Sequence, residues 1–415
     1  MTASEPPTSA FALPSDVADL VDATHAFVRD QVIPNEPAPG EHLDDATFAE
    51  LRAAAKTAGV FAPQIPVDLG GRGVPLQHWS PVFQAAGYSA NGPAILNCMA
   101  PDEGNMHMMN LIATPAQRER YLRPLAAGDV RSAFAMTEPH PGAGSDPNML
   151  RTAAVKTDDG WVINGEKRFI SGAYGAAFAI VMARTGGTEE RPEATMFLVD
   201  TDQPGFEIRR PIQALERAIA GGHPYVALED LRVADDAVLG APGEGFRYAQ
   251  VRLGPARLTH CMRWLGLARR ALDTALDRVN SRELFGSRMS QLGLAQELIA
   301  QSVIDIETAD ALITRVGWDL VTDERSGIAL SSVAKAHCAE AVFRVIDRAM
   351  QICGGDGVCD ALPLAQYLNE VRPFRIYDGS TETHKWAIAR RAARRRQQAV
   401  EAGEPFLAEA YGWDH

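Results

Sequence analysis

Apolar positions fall into three successive regimes along the chain. In the first ~130 residues they recur at helical spacing. Val17, Leu20, Val21 and Phe27 mark a helix within 16–30, and Phe48, Leu51 and Ala55 mark a second that Gly59 stops. Thr114 before Pro115 predicts an N-cap with proline at the first helical position, opening a helix that carries Arg118, Tyr121 and Leu122. From Ala153 to Val233 the apolar runs shorten and turn residues separate them, which predicts strands at 161–163, 178–182, 195–199, 206–209 and 225–228. Asn164-Gly165 predicts a hairpin turn, because both residues tolerate positive φ. After Gly245 the helices return and lengthen. Leu265, Ala268, Leu272, Leu276 and Val279 share one face, as do Ile299, Val303, Ile306, Ala309 and Ile313, and then Val342, Val345, Ile346 and Ala349. A fourth helix covers about 380–398, and four amphipathic helices in series predict a bundle. The order is helical, all-β, helical: an α+β chain, at odds with a doubly wound parallel sheet. The two ends, 1–14 and 401–415, read as loose or docked on a partner.

Charge narrows the function classes. The chain has 415 residues, with 40 Lys+Arg against 53 Asp+Glu and a net charge of −13. Such a surface repels phosphate backbones, so nucleic acid is not an expected partner. No apolar run approaches the ~18–20 residues that span a bilayer, and the first residues lack a signal-peptide core. The expectation is a soluble, cytoplasmic protein. Five widely spaced cysteines without a Cys-x-x-Cys pair read as buried, reduced thiols.

Four segments carry candidate chemistry. Phe134-Ala135-Met136-Thr137-Glu138-Pro139-His140-Pro141-Gly142-Ala143-Gly144-Ser145-Asp146 stands where helices give way to strands. Its glycines let backbone amides approach a ligand, and its hydroxyls and carboxylate can bond one; taken on composition alone it reads first as an ordinary Pro/Gly-rich turn. Asn164-Gly165-Glu166-Lys167-Arg168-Phe169-Ile170-Ser171-Gly172 places Phe169 and Ser171 on one side of a strand, a surface that suits a flat heteroaromatic ring, or else a core Phe and a surface Ser. In Arg375-Ile376-Tyr377-Asp378-Gly379-Ser380-Thr381-Glu382, Asp378 is either an exposed helix cap or a general base beside an apolar slot. Gln351-Ile352-Cys353-Gly354-Gly355-Asp356-Gly357 reads as a helix C-cap or a second binding loop. There is no dinucleotide fingerprint, no Walker loop and no metal-ligand spacing among the ten histidines, and no metal is expected.

In this order the segments resemble the acyl-CoA dehydrogenase family, over about 17–395. The stretches Asn97-Cys98-Met99-Ala100-Pro101-Asp102-Glu103-Gly104-Asn105-Met106 and Arg252-Leu253-Gly254-Pro255-Ala256-Arg257-Leu258-Thr259-His260-Cys261-Met262-Arg263 are similar to the subgroup of family members ten and eleven. The kinase-like domain fused in the animal members has no counterpart in these residues. The resemblance implies a helical domain (1–131), a central β-barrel (132–240) and a C-terminal four-helix bundle (241–415). It also implies FAD between barrel and bundle, an acyl-CoA substrate, a trans-2-enoyl product, electrons passed to an electron-transfer flavoprotein, and a homodimer or homotetramer. Asp378 would be the catalytic base. Phe134, Met136, Thr137, Gly144, Ser145, Phe169, Ser171, Arg282, Gln351, Gly354, Gly355, Ser380 and Glu382 would bind the cofactor, with Arg282 and the Gln351, Gly354 and Gly355 loop serving the neighbouring subunit's FAD. Ser145, Arg257 and Gly379 would meet substrate.

Three departures stand out: the Thr-Glu-Pro loop is two residues longer, by His140 and Pro141; Gly293 replaces a common Gln; Gly254 replaces an Asp that often serves the CoA adenosine. A flavin oxidase or monooxygenase of the same superfamily is the nearest alternative, and the carboxylate of Asp378 favours dehydrogenation over it. A non-catalytic helical partner protein is the other.

Overall fold

The computed structural model describes residues 13–188, 191–404 and 407. Most of the two ends expected to be loose lies outside the described residues, although 401–404 continue from the last helix.

Seven short helices come first: α1 (Ser15–Phe27), α2 (Asp45–Thr57), α3 (Trp79–Gly87), α4 (Gly92–Ile95), α5 (Asp102–Ile112), α6 (Pro115–Gln117) and α7 (Arg123–Ala127). Local chemistry sets their starts. Asp44 caps α2 by accepting from Thr47 N at 2.9 Å. Thr114 and Gln117 form the reciprocal capping box of α6, with Pro115 at the first helical position as expected.

The strands are β1 (Ser132–Ala135), β2 (Ala153–Thr157), β3 (Gly160–Lys167), β4 (Phe178–Gly187), β5 (Pro192–Asp200), β6 (Phe206–Ile208), β7 (Val226–Val233) and β8 (Val238–Leu239). They make one sheet in the order β6-β7-β3-β2-β4-β5-β8, with β1 parallel to β4. The sheet bends round a core of its own, to which Ala179 and Val181 of β4, Phe197 and Val199 of β5, Phe206 of β6 and Leu228 and Leu231 of β7 contribute. Strand alternation gives β4 a second role. Phe178, Ile180 and Met182 point the other way, into the core built by the helices.

The Asn164-Gly165 hairpin is not there. The turn between β2 and β3 falls at Asp158-Asp159, and Asn164-Gly165 lies inside β3 as a bulge against β7. Gly165 has φ 156°, and a Cβ there would stand 2.5 Å from Thr152 Oγ1. Asn164 Oδ1 accepts Asp230 N at 2.8 Å, so its side chain bridges the bulge. The dipeptide that tolerates a turn also tolerates the local kink of a bulge, and tertiary pairing chose the latter.

The remaining helices are α8 (Gly245–Ser281), α9 (Gly293–Thr322), α10 (Glu324–Cys353), α11 (Leu364–Val371) and α12 (Thr381–Glu401), with a small hairpin, β9 (Glu283–Leu284) and β10 (Ser287–Arg288), after α8. α8 packs on α9 and α10 and also on α3 and α5, while α12 packs on α10. The periodic faces are inside with one exception: Val303 is 42% exposed.

Candidate active site

Asp378 occupies the turn that leads into α12. Its φ is 53° and that of Gly379 is 95°. Asp tolerates the left-handed region better than most residues, and glycine is at ease there. Donors from three helices fix this turn through its carbonyls. Arg257 Nε of α8 donates to Asp378 O at 3.2 Å, His384 Nε2 of α12 donates to the same oxygen at 3.1 Å, and Lys335 Nζ of α10 donates to Gly379 O at 2.6 Å. Ser380 is the helix cap, accepting Thr383 N at 3.2 Å. Asp378 is therefore not a cap, and its carboxylate is left for other work.

That carboxylate meets His260, whose Nε2 lies 3.0 Å from Oδ2. Burial pushes the Asp378 carboxyl up, but the His260 hydrogen bond and the charges of Arg252 and Arg257 outweigh burial and hold it well below the usual carboxylate range. Burial, with the charge of Arg263 beside it, pushes His260 down to about 4. The contact is thus a hydrogen bond from a neutral imidazole to an anion, not an ion pair. Burial likewise brings Lys335 down to about 8.

The second patch lies at the edge of the sheet. Phe134 lies on β1 with the Arg252 guanidinium 4.1 Å from its ring centroid. Thr137 O accepts Arg168 N at 2.8 Å, and Met136 O accepts Lys167 Nζ at 3.2 Å, which draws the first candidate segment against the second. Phe169 and Ser171 do not share a face of a strand: β3 ends at Lys167, and both residues lie in the loop beyond it. There Phe169, with φ 57°, remains 45% exposed. Ser171 Oγ is 2.9 Å from His223 Nδ1, and His223 Nε2 is 3.5 Å from Glu216 Oε2. Burial drives His223 down to about 4 and, with the charge of Glu370, lifts Glu216 to about 7. Glu216 and His223 face a cavity of about 340 Å³, with Asn91, Arg131 and Tyr174. Two residues join this patch to the turn. Arg252 reaches both Phe134 and the field of Asp378, and Glu216 acts on the Tyr377 hydroxyl next to Asp378, which burial already raises.

Glu138, in the first candidate segment, is an anchor. It is buried with Lys167 at 2.9 Å and accepts Arg151 N, Thr152 N and Ala143 N at 2.7, 2.8 and 3.2 Å. This pins the loop that carries Gly144 and Ser145, both of which are exposed.

The other expected residues lie elsewhere in this chain. Arg282 follows α8, 25 residues beyond Arg257, or about 37 Å at the usual helical rise. The last turn of α10, with exposed Gln351, and the loop after it, with Gly354 and Gly355, stay at that far end, because Asp356 pairs with Arg278 at 2.9 Å. Glu382 is exposed on the first turn of α12. The structure thus draws Phe134, Met136, Thr137, Phe169 and Ser171 together at the sheet edge and Arg257, Asp378, Gly379 and Ser380 together at the turn, with Arg252 between the two groups, and leaves Arg282, Gln351, Gly354 and Gly355 apart.

Sequence reasoning passed over Arg252, His260, Arg263, Glu103, Lys335 and His384. The available signal was the run of Arg252, Arg257, His260 and Arg263 inside one helix; a charge series usually means a solvated face, and here all four are buried.

Three family models match the chain: the N-terminal, middle and C-terminal domains of acyl-CoA dehydrogenase, over residues 15–129, 133–219 and 243–393. A probable acyl-CoA dehydrogenase, FadE2, of Mycobacterium tuberculosis is 36% identical over 369 residues, covering 88% of this chain and 90% of that protein. Mouse acyl-CoA dehydrogenase family member 10 is 32% identical over 409 residues, covering 94% of this chain but only 38% of the longer mouse protein. The structure of a putative acyl-CoA dehydrogenase from Mycobacterium abscessus superposes with a TM-score of 0.86 at 32% identity, over 93% of this chain and 100% of that one. No helix among the described residues is long and apolar enough to cross a membrane. With a helical–sheet–helical fold, a half-buried carboxylate in the turn before the last helix and matching models along its length, the chain belongs to the acyl-CoA dehydrogenase family.

Proposed function

We propose that the protein catalyses α,β-dehydrogenation of an acyl thioester, with Asp378 as the base that takes the α proton. FAD is the cofactor of this reading and, when bound, accepts the hydride lost from the β carbon. The residues present fit it: an exposed aromatic beside a hydroxyl at Phe169 and Ser171, and glycines at 144, 354 and 355 where a Cβ would meet nothing within 4 Å. Phe134, Met136, Thr137, Phe169 and Ser171 would hold the ring, and Gly144, Ser145, Ser380 and Glu382 the rest of the cofactor. Arg282, Gln351, Gly354 and Gly355, too far along α8 and α10 to join their own site, would serve the cofactor of a second subunit in a homodimer or a dimer of dimers. The domain limits 1–131, 132–240 and 241–415 belong to the same reading.

Asp378 is suited to the proton step for a physical reason. Its carboxylate is ionised and tied through Oδ2 alone, and Oδ1 has no partner among the described residues. An acyl chain that displaces water beside it raises its basicity when it is needed. Ser145, Arg257 and Gly379 would orient the thioester, and the cations Arg252 and Arg257 favour negative charge as it develops there. The family's usual Glu is one methylene longer, so substrate and turn must approach more closely here. A CoA thioester is the substrate class, and an electron-transfer flavoprotein the acceptor. The one-sided hydrogen bonding of the carboxylate, tied at Oδ2 and open at Oδ1, is the observation that carries the proposal. Under anaerobic conditions, Asp378→Asn should keep its flavin and lose at least ~10²-fold in the rate of flavin bleaching by an acyl-CoA panel. A rate near wild type would place the base elsewhere.

A further inference from the structure

We propose that His260 is the positioning residue of this base: a buried imidazole that ties one oxygen of Asp378 and leaves the other free for the proton. The inference rests on the reading of Asp378 as the base.

The imidazole is part of a chain of polar groups that crosses the core between α5 and α8. Glu103, His260 and Arg263 are 3%, 5% and 0% exposed. Arg263 donates to His260 Nδ1, and its other nitrogen lies 3.5 Å from Glu103 Oε1. Glu103 is satisfied in turn by Gly104 N at 2.6 Å and by the Thr259 hydroxyl. Placing ions in a helical core costs several kcal/mol each before pairing returns part of it. Apolar residues of similar volume would serve packing as well, so packing does not explain this chain. Its far end is Asp378.

The chain also fixes the proton on the ring. A guanidinium has only donors, and the Arg263 nitrogen stands nearer to Nδ1 than to Nε2, which is 3.3 Å away, so Nδ1 is the acceptor. Nδ1 is therefore bare, and Nε2 carries the hydrogen that points at Asp378 Oδ2. The ring cannot swing away, since Tyr377 and Phe374 flank it with centroids 4.6 and 5.9 Å distant. A neutral donor of this kind stabilises the anion without offering it a proton. When Oδ1 takes the α proton, nothing on His260 has to move.

The groups that act on the pair come from several elements. Arg252, Arg257 and Arg263 lie on α8, Glu103 on α5, Lys335 on α10 and His384 on α12, while Glu382 of α12 acts on Lys335 and Glu216, ahead of β7, on Tyr377. The cations among them support ionisation of Asp378, but the His260 hydrogen bond is the contact on its carboxylate.

The test uses the FAD-loaded full chain and four variants: His260→Leu, His260→Gln, His260→Asn and, as reference, Asp378→Asn. Flavin bleaching by a saturating acyl-CoA is followed against pH, with half-saturation measured beside it. Carboxylic-acid infrared bands of the substrate-free protein are titrated in parallel. His260→Leu should lose ~10²-fold in maximal rate, the cost of a misplaced reacting group, with half-saturation within about threefold of wild type. Its acid limb should move up by about one pH unit or more, and an acid band absent from Asp378→Asn should appear at the same pH. His260→Gln, whose amide can reach Asp378, should regain at least ~10-fold and restore the limb, whereas the shorter Asn should not. If the Leu variant fails to load flavin, the Gln–Asn contrast decides. A His260→Leu profile matching wild type, or Gln no better than Asn, overturns the inference. Retained activity in Asp378→Asn overturns the reading of the base instead.

Discussion

Gly379→Ala is the smallest change that should disable the turn, and its size can be worked out. A Cβ at this position would lie 2.8 Å from His384 Nε2, where ordinary contact begins at 3.4 Å, so the neighbours must part by about 0.6 Å. The backbone adds strain, since φ is 95° and an L residue there costs on the order of 1–2 kcal/mol. His384 cannot retreat freely, because the nitrogen that would be struck also donates to Asp378 O. The displacement therefore falls on Asp378 or on that hydrogen bond. With ~10²-fold lost per ångström of misplacement, the reduction rate should drop by roughly tenfold or more. Stopped-flow bleaching at saturating acyl-CoA reads this directly, and thermal unfolding of the same sample should fall with it. A variant that reduces its flavin at the wild-type rate and melts at the wild-type temperature would show that the turn has slack, and that the geometry assigned to Asp378 is not what limits proton removal.

Two further tests probe the scaffold. Lys167→Met strands the buried Glu138 carboxylate and should cost about 3–5 kcal/mol by denaturant unfolding, with part recovered in the double variant with Glu138→Gln; a loss under ~1 kcal/mol would deny the loop its anchor. Burial lifts Glu370 from 4.5 to about 7, so the folded chain holds a proton that the unfolded chain has released. Its contribution is full below about pH 4.5 and is lost as pH rises through about 7, a change on the order of 3 kcal/mol. Melting temperature across that window should flatten in Glu370→Gln, and an unaltered slope would assign the effect to other groups.

Helices and strands were legible wherever a face repeats. Ser15–Phe27 and Asp45–Thr57 lie within a few residues of their patterns, because a stripe facing a core shows in any single segment; Thr381–Glu401 also lies close to its expected range, although it buries only Thr381 and His384. Asn164-Gly165 misled because a turn and a bulge ask the same of the backbone, and only the partner strand β7 distinguishes them. Asp378 could be singled out from its position before a glycine and a helix start. His260 could not: its meaning depends on Glu103, 157 residues earlier, and on Asp378, 118 residues later, and no local spacing encodes either meeting. Val303 shows the converse, an apolar residue at core spacing that remains 42% exposed.

The two-sided burial of β4 has a consequence for synthesis. As the chain leaves the ribosome, the first seven helices emerge with their apolar faces bare. Much of what covers them, Phe178, Ile180 and Met182 of β4 and then Leu258, Met262 and Leu265 of α8, is made later. β1 must also wait, since its pairing partner begins at Phe178, 46 residues after Ser132. A nascent chain stalled before β4 should therefore be a client for chaperones rather than a folded intermediate, and release of β4 should be the moment at which two cores close at once.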